Sequence, residues 1–182
     1  PLLEYYEKSK YQKLFLYRNI GHTAPWDLDM IKLLVPKSFY IVSDPDVVPV
    51  EYCPKDTIKH MLDLHDKHRA PIKVGLGLKI DDIPDHYPLK DAVVQWESQY
   101  WKTRLGKDAF EAGVDTTFAL YKPFSYDYAL NPSLRTDEPY VARHTPWYAD
   151  PKKLNKEDLY YRQHANTNIT SWDTDELPER YE

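Results

Sequence analysis

"FYIVSDPDVVP", residues 39–49, runs through four apolar or aromatic residues and then stops at two aspartates separated by a proline. Residues 39–42 read as a buried strand. Asp44 and Pro45 read as the turn at its mouth, because Asp-Pro starts turns readily and a carboxylate is well solvated there. The same pair has a second use. In an open α/β sheet ligands gather at the carboxyl ends of the strands, where Asp44 and Asp46 fall. Hard oxygen ligands at that place suit Mn²⁺ or Mg²⁺, which keep one or two protein carboxylates and fill their shell with phosphate oxygens and water.

Toward the N-terminus, "KLFLYRN" predicts a strand over residues 14–17. "TAPWDLDMIKLL" predicts a helix with Thr23 near its N-cap and Pro25 in its first turn, and "PLLEYYEKSKY" a helix with Leu2, Leu3 and Tyr6 as its apolar positions. Toward the C-terminus, "CPKDTIKHMLDLHDKHR" is an amphipathic helix presenting Ile58, Met61 and Leu62, with Leu64 or His65, on one face. "IKVGLGLKI" reads as a strand whose Gly75 and Gly77 leave one face open to close approach. "LKDAVVQWESQYW" is a further helix and "VDTTFALYK" a further strand, residues 114–121. This alternation predicts an α/β layer structure: a mostly parallel sheet flanked by helices. Beyond Lys122 the pattern decays into Pro, Tyr, Asp and Arg, broken by a short helix in "NKEDLYYRQHA". Residues 1–122 are therefore expected to form the core of a single domain, with residues 123–182 as an irregular flap and tail wrapped over it.

The 182 residues suffice for one full core. A formal net charge of -5 and a pI near 5.8 argue against a general nucleic-acid binder, which carries a basic face for phosphates. Cys53 stands alone, so an internal disulfide and a cysteine-rich zinc site are excluded, and a reducing compartment is the natural reading. No apolar run approaches the roughly 18 residues of a transmembrane span, and the N-terminus lacks the plan of a signal peptide. Sixteen Tyr and five Trp fill a core first, and also offer ring faces on which a sugar can stack.

"RHTPWYAD" brings Arg143 and His144 together in the flap, an imidazole to complete a metal shell and a guanidinium to hold a phosphate. The bland reading pairs Arg143 with an acid of the tail and packs His144 on Trp147. Two carboxylate sets offer a general base: Asp115, which opens "VDTTFALY", and Asp81 with Asp82, which close "VGLGLKIDD". Their bland readings are a buried structural hydrogen bond and loop capping before Pro84. "VGLGLK" is not the glycine fingerprint of a dinucleotide site, and the serine-hydrolase, zincin and P-loop motifs are absent.

Taken in order, "VSDPDVVP", "GLGLKIDDIPDHY", "QWESQYW", "AGVDTTFALY" and "PYVARHTPWYAD" resemble the nucleotide-sugar glycosyltransferases of the GT-A fold. The branch is family-2-like, seen in bacterial surface-polysaccharide synthesis and in a glycosyltransferase domain of large algal viruses. The resemblance runs from "PLLEYYEK" to Ser171 and Trp172. It implies that Asp44 and Asp46 bind the donor's ribose or sugar and the Mn²⁺ or Mg²⁺ on its diphosphate, and that His144 completes the metal site. It implies that Asp115 deprotonates the acceptor and that Asp81 and Asp82 lie nearer the donor sugar or acceptor. The partners implied are a nucleoside-diphosphate sugar and a glycan or glycolipid, with no nucleic acid, in a cytoplasmic location extending to the membrane face.

GT-A enzymes open with a strand, helix and strand that hold the nucleotide base, and "PLLEYYEK" matches the helix that follows them. The expectation is an N-terminally incomplete domain with an exposed sheet edge that favours self-association. A non-catalytic carbohydrate-binding or scaffolding module of the same fold, and a nucleotidyltransferase, are the alternatives.

Overall fold

The computed structural model describes residues 3–68, 71–115, 117–129 and 131–164. It is mixed α/β, with six α-helices among the described residues: α1 (Leu3–Lys8), α2 (Ala24–Asp27), α3 (Met30–Leu34), α4 (Thr57–Lys67), α5 (Lys90–Glu97) and α6 (Lys156–His164). The strand at the head of "FYIVSDPDVVP" is β1 (Tyr40–Val42), and "VVP" after the aspartates forms β2 (Val47–Pro49). "IKVGLGLKI" divides into β3 (Lys73–Gly75) and β4 (Gly77–Leu78). Next come β5 (Arg104–Leu105), β6 (Ala109–Glu111), β7 (Ala119–Tyr121), β8 (Ser133–Thr136) and β9 (Val141–His144).

Six strands form one sheet in the order β1-β7-β3-β8-β6-β5, and β2-β9-β4 form a smaller one. The expected mostly parallel sheet is corrected here: β3·β8 and β4·β9 are parallel, whereas β1·β7, β3·β7, β6·β8, β5·β6 and β2·β9 are antiparallel. The physical reason lies in β7. The connection through α4 does return β3 in the direction of β1, but β7 slots between them and runs against both. Alternation of strand and helix along a chain does not say which strands become neighbours.

Alternate residues of β7 belong to different apolar clusters, as the two-residue period of a strand requires. Leu120 joins Met61 and Leu64 of α4, Val93 of α5, Val74 and Trp147, while Ala119 and Tyr121 join Trp26 of α2, Ile31 of α3 and Tyr40. Met61 and Leu64 are almost wholly buried, each contributing about 1.5–3 kcal/mol of apolar transfer, which fixes α4 against β3 and β7.

Several local expectations change. Residues 14–17 form no strand and are exposed. The helix expected over residues 23–34 breaks at Asp29, whose φ of 54° is left-handed and ends one helix before the next begins. Residues 133–144, expected in the flap, supply β8 and β9, and every residue of β8 is buried. The C-terminal helix appears as α6 with no buried residue. Residues 165–182, including Ser171 and Trp172, lie outside the described residues. Among the described residues no helix is long and apolar enough to cross a membrane.

Candidate functional site

At the mouth of β1 the chain turns, with the Val47 amide donating to the Asp44 carbonyl at 3.3 Å, and runs directly into β2. The turn reading and the site reading are therefore the same piece of backbone. β2 pairs antiparallel with β9 in a register that sets Val47 opposite His144. The Thr145 amide donates to the Asp46 carbonyl at 2.8 Å, which extends the pairing past the end of the strand. This register brings His144 Nε2 to 3.3 Å from Asp46 Oδ2. Burial raises the Asp46 pKa, but the hydrogen bond and charge of His144 outweigh it, so the carboxyl lies below its ordinary value. The His144 ring meets Trp147 edge-on at 4.8 Å, so the packing partner and the carboxylate partner coexist.

Asp46 Oδ1 and His144 Nδ1 are buried without a hydrogen-bond partner. The atoms that face each other are Nε2 and Oδ2, and their 3.3 Å separation is near the roughly 3 Å between two ligands at adjacent corners of an octahedron with bonds of roughly 2.1 Å. An oxygen and an imidazole nitrogen suit Mn²⁺ at least as well as Mg²⁺. Among the described residues no group of three or more His, Cys, Asp or Glu side chains is arranged as a complete metal cage. Asp46 and His144 thus fit a metal that draws most of its shell from a ligand.

Asp44 faces a different neighbourhood. Its charge, with that of Asp115, helps to raise the hydroxyls of Tyr121 and Tyr128 above the ordinary tyrosine value, burial being the largest cause in both. Tyr128 donates its hydroxyl to Asp115 Oδ1. Below them lies Lys73, buried in β3, with Nζ donating to Tyr121 Oη at 3.0 Å and to the Asp115 carbonyl at 3.3 Å. The ammonium also sits 4.9 and 5.1 Å from the ring centres of Tyr121 and Tyr128. Tyr128 further lines a recess of about 500 Å³ with Trp26, Asp27, Asp29 and Asp127.

Burial pulls the Lys73 amine down to about 8, against the opposing pull of Asp115. Between that value and the ordinary one near 10.4 the unfolded chain binds more protons than the folded one, so stability rises with pH in this window. Denaturant titrations at pH 7.5 and 9.5 should differ by about 2 kcal/mol in favour of the higher pH. In Lys73→Met this rise should be lost, leaving only the small opposite drift of the raised Tyr121 and Tyr128 hydroxyls; its persistence would place the titration elsewhere.

Arg143 is the next residue back along β9 and projects from the opposite face to His144. Its guanidinium donates to Asp82 Oδ2 at 3.0 and 2.7 Å and to both oxygens of Glu51 at 3.0 and 2.8 Å. Tyr148 donates to Asp82 Oδ1 at 2.5 Å. Burial raises Asp82, but the Arg143 and Tyr148 hydrogen bonds hold it below the usual carboxylate value. These groups edge a recess of about 390 Å³ floored by Val48 and Pro49. Asp81 points elsewhere, to an exposed ion pair with Lys79 at 2.7 Å.

The structure therefore brings Asp46 and His144 together, gathers Asp44 and Asp115 around Tyr128, and sets Arg143 with Asp82 on a separate face. Arg143, expected to hold a phosphate beside His144, instead bridges two carboxylates. Lys73, Tyr128 and Glu51 were missed as site residues. The one signal for Lys73 was a lysine inside an apolar strand; Tyr128 and Glu51 carried none. Comparison with family models, with curated proteins and with solved structures returns no match.

Proposed function

We propose that this chain is a metal-dependent glycosyltransferase domain of GT-A-like architecture. It transfers a sugar from a nucleoside-diphosphate sugar to a hydroxyl of a glycan or glycolipid. The observation that carries the reading is the β2·β9 register, which delivers His144 to Asp46 at the mouth of β1. Asp46 and His144 would hold Mn²⁺ or Mg²⁺, which when bound supplies Lewis-acid stabilisation of the diphosphate. Asp44, two residues earlier in the turn, would bind the donor's ribose or sugar hydroxyls. Asp115 is the base that takes the acceptor's proton, its carboxylate oriented by Tyr128. Asp82, locked by Arg143 and Tyr148, would accept from sugar hydroxyls at the recess lined by Val48 and Pro49, and Asp81 takes no part.

Calorimetric titration with UDP, GDP and dTDP, with and without Mn²⁺, tests this. At least one nucleotide should bind only with Mn²⁺, and Asp46→Asn should weaken that binding by about 100-fold or more. Asparagine keeps the size and turn preference of aspartate, so circular dichroism should be unchanged. Nucleotide binding that ignores both Mn²⁺ and Asp46, or no nucleotide binding alongside retained glycan binding, would favour the non-catalytic carbohydrate module.

A further inference from the structure

The two carboxylates on Arg143 are held unequally. Asp82 takes bonds from guanidinium Nε and Nη2 and a third from the Tyr148 hydroxyl, and its side chain is 30% exposed. Glu51 takes Nη1 alone of the guanidinium nitrogens, and its side chain is 82% exposed. An ion pair that open to water contributes little, because solvent screens the charges and fixing a long side chain costs entropy. One side of the guanidinium is therefore fixed by Asp82, and the other is covered by a carboxylate that exchanges easily.

The exchange happens at the wall of a recess of about 390 Å³, room enough for a small ligand. Val48 and Pro49 give it an apolar floor, and Thr145 adds a hydroxyl. One pyranose ring meets both demands: its C–H face lies on the floor while a hydroxyl donates to Asp82. Charge narrows the class further. With Glu51 in place the lining carries two negative charges and one positive; with Glu51 swung out, Arg143 and Asp82 balance, and the recess takes one negative charge more easily than the two of a phosphate. A planar carboxylate already sits on Nη1 through both of its oxygens, so the replacement has a template in the fold itself.

We propose that the sugar bound in this recess is a uronic acid, whose carboxylate takes the place of Glu51 on Arg143 Nη1 while a hydroxyl donates to Asp82. Glu51 is an internal competitor, seated on the guanidinium until the acidic sugar displaces it. The proposal rests on the reading of this recess as a sugar site, and on neither the metal nor the nucleotide.

Amide chemical-shift titrations of the 182-residue chain, without metal or nucleotide, test it with methyl glucuronide, methyl galacturonide, methyl glucoside and acetate as probes. At least one uronide should shift the signals of residues 48–51 and 143–148 and bind at least about tenfold tighter than both the glucoside and acetate. Glu51→Ala should tighten the uronide about two- to fivefold and leave the glucoside unchanged. Arg143→Lys, which keeps the charge but loses the planar fork, should weaken the uronide about tenfold. A thermal transition checks the fold of Arg143→Lys; if that variant unfolds, the gain in Glu51→Ala still decides, since loss of fold cannot tighten binding. No uronide binding, a glucoside or acetate bound as well as the uronide, or a Glu51→Ala variant that binds the uronide no tighter would each overturn the proposal. Mn²⁺-dependent nucleotide binding is measured separately, so the failure of this proposal and the failure of the transferase reading are told apart.

Discussion

Glu97→Ala should lower stability by about 3–5 kcal/mol, enough to threaten folding in a domain whose total stability is typically about 5–15 kcal/mol. Arg135 lies in β8 inside the six-stranded sheet, and Arg135 Nη1 meets Glu97 Oε2 at 2.6 Å with both side chains buried. The guanidinium also donates to the Gly113 carbonyl at 2.8 Å and stacks 4.0 Å from the ring centre of Tyr100. Truncating Glu97 leaves a guanidinium buried without its counter-charge, and the cost is mostly the desolvation of that stranded charge. The double variant Glu97→Leu with Arg135→Met should therefore recover most of the loss, because it removes both charges and keeps the volume. Urea unfolding of the two single variants and the double completes the cycle. Additive losses would mean that the pair does not act as a unit.

Gly77→Ala should cost about 1–3 kcal/mol, at the upper end of that range because the obstruction is backbone. A Cβ at Gly77 would stand 2.4 Å from the Thr136 carbonyl oxygen and 2.7 Å from the Trp101 ring. The Thr136 carbonyl belongs to β8 and cannot swing aside as a side chain would. The Gly77 amide also donates to Thr136 Oγ1 at 3.1 Å, so a shift breaks that bond. Gly77 sits in β4, which pairs with β9, and β9 carries Arg143 and His144. Displacing β4 should accordingly weaken Mn²⁺-dependent nucleotide binding as well as stability. Gly113→Ala is the control: the nearest atoms to its Cβ are 3.6 Å away, and its unfolding midpoint should barely move. Equal losses at Gly77 and Gly113 would show that the close approach at Gly77 is not the cause.

Part of the candidate site was legible before any fold. The carboxylate pair after an apolar run was visible at the mouth of β1, and the pairing of its second aspartate with His144 followed from the resemblance. Its geometry was not. "VVP" and "VARH" are too short to announce β2 and β9 by period, so nothing local said that they pair or that His144 meets Asp46. The opposite outlook of Arg143 follows from strand alternation, but only once β9 is known to be a strand.

The sequence by itself determined α4 and its apolar face, the strand that runs up to Asp44 and Asp46, and the narrow approach at Gly75 and Gly77. These depend on neighbours in the chain: side-chain period, turn chemistry and the missing Cβ. Only the tertiary structure decided that β7 separates β1 from β3 and makes the sheet largely antiparallel. It alone decided that "SLRT" is an inner strand, since Ser133, Arg135 and Thr136 are polar and Arg135 is tolerated there by a carboxylate from α5. Lys73 is the same case, a charge inside an apolar strand made bearable by a tyrosine hydroxyl and a distant carbonyl. Burying a charge depends on partners far away in the chain, which no local pattern can encode.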